Sequence, residues 1–115
     1  MAKVVMTWTR QDISQDWIMG NIRNPIFNEA EKQVLASTRD IHTSLPGFVS
    51  ETVDTSNPQL FVFSVEFDTL SNAENALDLI VNPPIGSNLY IRKQLMLNKR
   101  AQVGVDYQFN AEVVQ

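Results

Sequence analysis

Residues able to do chemistry are few in this chain. It has no cysteine and one histidine, His42. Thiolate nucleophiles and disulfides are excluded, and little remains for a histidine-rich metal site or a Ser–His pair. His42 follows Arg39 by three positions and Ile41 by one. It could shuttle a proton or hold a ligand at a pocket edge. The plainer reading is a partly exposed residue near a helix C-terminus, where a positive imidazole is favoured. No metal ligand set is expected, and no cofactor.

Trp8, Trp17, Ile18 and Met19 are apolar residues suited to an irregular ligand, since indole and thioether side chains adapt to such shapes. They could equally extend the core or a subunit interface. Glu66 and Asp106 could form an acid–base pair. On adjacent-but-one strands, though, they would lie about 9–10 Å apart, too far to share a proton. Arg92, Lys93, Lys99 and Arg100 gather four of the nine basic residues in one short span. They could meet an anionic group through charge-assisted bonds, or line a solvated helix face.

The elements that must position these residues follow from periodicity. Residues 3 to 9 alternate, with Val4, Met6 and Trp8 on one face, which is the signature of a strand. Asp12, Gln15 and Gly20 predict a short capped helix between them. Asn24-Pro25 reads as N-cap and first helical position. Phe27, Ala30, Val34, Ile41 and Leu45 then predict a helix of about five turns, to Ser44 or Leu45. Pro46 and Gly47 end it, and Val49, Glu51 and Val53 begin a strand. Residues 55 to 59 are turn chemistry. In the strand 60 to 67, Phe61, Phe63, Val65 and Phe67 share one face. Ser71 with Glu74 predicts a capping box for a helix from Asn72 to about Val81. Segment 82 to 100 is ambiguous, with a helix favoured over 88 to 98. Residues 102 to 113 read as a final strand with Val103, Val105, Tyr107 and Phe109 on one face.

The order β-α-β-β-α-β predicts an α+β fold: a single ferredoxin-like domain over residues 1–115, with a four-stranded antiparallel sheet and the helices on one side. The run from Leu45-Pro46-Gly47-Phe48 through the aromatic strand to Ser71-Asn72-Ala73-Glu74 resembles the dimeric α+β barrel superfamily, which includes antibiotic-biosynthesis-type monooxygenases. That resemblance implies a homodimer and a cofactor-independent monooxygenase as one possible activity. Haem-degrading relatives use an Asn, a Trp and a His; Trp8, Trp17 and His42 do not fall on those motif positions, so no catalytic residue transfers.

Composition frames the rest. The chain is 43% hydrophobic and 19% charged, as in ordinary globular domains. A net charge of −4 gives no bulk attraction to nucleic acid or anionic membrane. RNA binding is further disfavoured because the third strand's aromatics share one face, opposite Leu60, Val62, Ser64 and Glu66. No apolar run reaches the roughly 18 residues of a membrane span. The N-terminus reads as a strand and not a signal peptide, so a cytoplasmic address is expected.

The expectation that results is a homodimeric binding module, leaning away from an enzyme. It would hold a small apolar molecule, fatty-acid-like or aromatic, between sheet and helices. Trp8, Trp17, Met19 and Phe27 would line the site, and Arg92 or Arg100 would meet a polar end. A monooxygenase, with Trp8 and His42 as catalytic candidates, and a non-catalytic assembly or regulatory dimer are the alternatives.

Overall fold

The computed structural model describes residues 1–115. Strands β1 (Ala2–Thr9), β2 (Phe48–Asp54), β3 (Leu60–Phe67) and β4 (Gln108–Val114) form one antiparallel sheet in the order β2-β3-β1-β4. Helix α1 (Glu29–Ser37) joins β1 to β2; α2 (Leu70–Val81) and α3 (Asn88–Val103) join β3 to β4. The architecture is the split-βαβ, ferredoxin-like arrangement, with a third helix in the second crossover. No helix is long and apolar enough to cross a membrane.

Register fixes the inner face as rows. Phe61–Trp8–Phe109 is one row, Phe63–Met6–Ala111 the next, and Val65–Val4–Val113 the third. α2 sits over the far end of these rows. Its Ala73, Ala76 and Ile80 pack on Ala2, Val4, Val65 and Phe67. Phe67 is 0% exposed, a burial contributing about 1.5–3 kcal/mol. A second core holds Ile18, Phe27, Leu35 and Met96, where α1 meets α3. The helices thus cover the phenylalanine-bearing face unequally: α2 packs on it directly, whereas α1 packs chiefly on α3.

Several element limits differ from expectation, each for a local reason. No helix forms over 12–19. Asp12 Oδ1 accepts from Ser14 N–H (2.9 Å), and Asn21 and Asn24 make the same turn with Arg23 and Ile26. Such side chains compete with helical hydrogen bonds. Asn28, not Asn24, caps α1, because Asn28 and Glu31 form a reciprocal capping box. α1 stops at Ser37 instead of Ser44. The Leu35 carbonyl, which a longer helix would need, accepts from Arg92 Nη1 (2.9 Å), and the Thr38 hydroxyl turns back to Val34 O (2.7 Å). Residues 39–46 are turns. Gly47 at φ 79 then reverses the chain into β2, a conformation costly for other residues.

Thr69 caps α2, so Ser71 lies within its first turn. α3 runs to Val103, past the expected 98, between the Ser87 cap and left-handed Gly104 (φ 82). The final strand therefore starts at Gln108, and Val103 and Val105 pack into the α1–α3 core instead of the sheet.

Candidate functional site

Because α1 leans on α3 and α2 covers only one end, the Trp8 end of the sheet is left with a cavity of about 750 Å³. Ligand sites commonly span about 300–1,000 Å³. Met6, Trp8, Phe61 and Phe63 form the floor, and Leu89, Arg92, Met96 and Arg100 of α3 form a side wall. The rest is closed by residues of the β1–α1 connection and by Arg39, Ile41 and His42 of the turn after α1.

The connection has little secondary structure, so its carbonyls need partners, and arginines supply them. Arg100 Nε and Nη2 donate to Ile18 O (3.1 and 3.0 Å), and Nη2 also reaches Met19 Sδ (3.1 Å). Arg92 Nη2 donates to Gly20 O (3.1 Å) while its Nη1 reaches Leu35 O and Thr38 Oγ1. Arg10 Nη1 donates to Gln15 O (2.7 Å), and its guanidinium lies 4.0 Å from the Trp17 ring centroid. Tyr107 Oη accepts from Ile18 N–H (2.9 Å). Burial lowers the pKa of both Arg92 and Arg100 from their ordinary value, yet guanidinium remains charged in proteins. Their bonds to carbonyls offset that desolvation.

The aromatic side chains meet edge-on or tilted. Trp8 lies 4.9 Å from Phe109 and 5.7 Å from Phe61, and Trp17 lies 5.6 Å from Phe61 and 5.0 Å from Tyr107. These spacings suit ring–ring attraction.

His42 lies on the cavity wall, against the Phe63 ring at 5.1 Å. Its side chain is 17% exposed, and Nδ1 stands 3.8 Å from Glu51 Oε2. That distance is too long for a hydrogen bond. Burial, aided by the nearby Arg92 charge, lowers its pKa to about 4. The imidazole is therefore neutral at pH 7, able to accept one hydrogen bond and donate another. The expectation of a positive imidazole at a helix end fails because α1 ends five residues earlier.

Of the residues singled out as ligand contacts, Trp8, Trp17, Met19, Arg92 and Arg100 all line the cavity. Phe27 does not: it is 2% exposed, inside the α1–α3 core. The clustered basic residues are not a solvated face. Lys99 is buried and pairs with Glu31 at 2.9 Å, and Lys93 Nζ donates to Val81 O (3.2 Å). Glu66 and Asp106 are at opposite ends of the sheet. Glu66 pairs with Lys3, itself opposite Val114, whereas Asp106 precedes Gln108. Six residues of strand put them more than about 20 Å apart, so no acid–base pair exists. No cluster of three or more His, Asp or Glu could hold a metal ion.

Phe61, Phe63, Tyr107, Phe109, Arg23, Arg39 and Glu51 complete the wall without having been anticipated as site residues. The first two share the sheet face of Trp8 by simple alternation, which was a usable signal. Arg23 and Arg39 lie in turns, where no periodicity marks a direction.

No protein-family model and no curated protein matches the sequence. Three solved structures resemble the fold. One is a variant of SnoaB, a cofactor-independent oxygenase from Streptomyces nogalater, at 14% identity and TM-score 0.45, over 99% of this chain and 90% of that one. Another, from Deinococcus radiodurans, is described as a candidate antibiotic-biosynthesis monooxygenase, at 16% identity and TM-score 0.43, over 97% and 90%. The third is Atu4242 from Agrobacterium tumefaciens, at 12% identity and TM-score 0.41, over 100% and 92%.

Proposed function

We propose that the protein binds a small, mainly apolar molecule, aromatic or fatty-acid-like, between its sheet and helices. The cavity of about 750 Å³ carries this reading. Protein interiors are close-packed, and an unfilled apolar wall forfeits contacts that a ligand restores. A domain serving only assembly or regulation would gain stability by closing that space. Trp8, Trp17 and Met19 would touch the apolar body of the ligand.

Native mass spectrometry of freshly purified protein, with melting temperatures in a panel of fatty acids and aromatic compounds, tests it. A co-purifying mass or a ligand-dependent rise is expected. Neither a bound mass nor a shift from any panel member would reject the reading.

One observation favours a second reading, a cofactor-independent monooxygenase. His42 on the cavity wall, neutral at pH 7, can accept a hydrogen bond from the hydroxyl of a phenol or quinol and hold it in place; dioxygen would oxidise that ring to a quinone, one oxygen atom entering the product and the other leaving as water. It predicts oxygen consumption with such a substrate, lost in Trp8→Phe or His42→Ala. Turnover unchanged in both variants rejects those roles.

A second copy of the chain is the proposed partner. It would meet the sheet face bearing Val5, Thr7, Val62 and Ser64, which lies opposite the rows that α2 covers.

A further inference from the structure

We infer that the cavity selects an aromatic molecule carrying a carboxylate or comparable anion, with its rings among Trp8, Trp17, Phe61 and Phe109 and its anion met by Arg23 and Arg39. The inference rests on the binding function proposed above and adds the class of ligand.

The chain as a whole is acidic, with thirteen Asp and Glu against nine Lys and Arg. Around the cavity that balance inverts: Arg23, Arg39, Arg92, Lys93 and Arg100 face two carboxylates, Asp16 and Glu51. A recess with low-dielectric walls concentrates such a field, so an anion is drawn in and a cation repelled. Six of the ten aromatic residues line the same space, which gives the anion's carrier a ring-shaped preference.

The cations are not equivalent. Arg92 and Arg100 already donate to the carbonyls of Gly20, Leu35 and Ile18, and Lys93 to that of Val81. Arg23 and Arg39 are in no ion pair, and both are exposed, at the mouth. One guanidinium also brings them to the same end. Arg92 holds both Gly20 O and Thr38 Oγ1; Arg23 follows Gly20 by three residues and Arg39 follows Thr38 directly. A planar guanidinium matches a carboxylate in two parallel bonds. His42, deeper on the wall, stays neutral and does not attract the anion past the mouth. Glu51, 39% exposed beside it, would repel an anion placed there.

Isothermal titration calorimetry at low ionic strength distinguishes the terms. 2-Naphthoate, its uncharged isostere 2-naphthamide, and dodecanoate are titrated into the wild type and into the double variant Arg23→Gln/Arg39→Gln. Naphthoate is expected to bind the wild type at least tenfold more tightly than naphthamide, about 1.4 kcal/mol, and more tightly than dodecanoate. In the double variant the naphthoate–naphthamide gap should close to within twofold while naphthamide affinity is unchanged. Equal binding of naphthoate and naphthamide, or a gap that persists in the variant, overturns the anion assignment and leaves the cavity a binding site. Dodecanoate binding as tightly as naphthoate overturns the aromatic preference. If none of the three binds, this inference falls, whereas the binding function falls only if no mass co-purifies and no panel member raises the melting temperature.

Discussion

His42 is the residue whose protonation state most depends on the fold. An exposed histidine titrates near 6.5, whereas burial beside Arg92 lowers this one to about 4. The unfolded chain then binds more protons than the native one between those values. Stability is fully present above about pH 6.5 and declines as pH falls toward 4, by roughly 3 kcal/mol in total. Denaturant unfolding from pH 7 to 4 should show that slope, and His42→Gln should flatten it. A wild-type slope matching the variant's would show that His42 titrates normally. Gly20 is a second residue where the geometry is tight, since an added Cβ would land on the Arg92 guanidinium. Gly20→Ala should destabilise by roughly 1–3 kcal/mol and weaken ligand binding, as measured by thermal unfolding and calorimetry. An unchanged melting temperature would mean that the Arg92 tie to the connection is dispensable. The roles of these residues were unequally legible. Trp8 stood out because alternation fixed its face. The neutral state of His42 did not, because it depends on where α1 ends.

At the scale of elements, α1 depends on a cap shared with an ion pair. Glu31 Oε1 accepts from the Asn28 N–H (2.9 Å) and meets Lys99 Nζ (2.9 Å), so one oxygen ties the start of α1 to α3. These two contacts, the Asn28 N–H foremost, lower the Glu31 pKa from its ordinary value. Asn28→Ala should cost about 1 kcal/mol. Glu31→Ala should lower the melting temperature further, because it strands the buried Lys99 ammonium, and adding Lys99→Met should recover part of the loss. No recovery in the double variant would place the effect in the cap alone. Strands were legible at this scale because period-two alternation needs only nearest neighbours. Helix limits were less so. The stop of α1 is made by Arg92, 57 residues further on, which no local pattern reveals. The Ser87 cap and Gly104 exit of α3 were present as local signals, but the apolar alternation of Val103, Val105 and Tyr107 obscured them.

For the whole molecule, the sheet order followed from the succession of elements, since β1 falls between β3 and β4 in this topology. The cavity did not. It exists because α1 packs on α3 and not on the sheet, a tertiary choice written in no single segment. If the outer sheet face joins two copies, light scattering should give twice the 13.0 kDa chain mass, and Val62→Glu should return it to a monomer. A wild-type monomer at micromolar concentration would remove the dimer.

The central claim is that the space beside Trp8 receives a ligand. Crystals soaked in 6-bromo-2-naphthoate and measured at the bromine edge test it most directly. A bromine peak between the Trp8 and Trp17 rings is the predicted result; a peak confined to the outer surface, or none from saturated crystals, would contradict it.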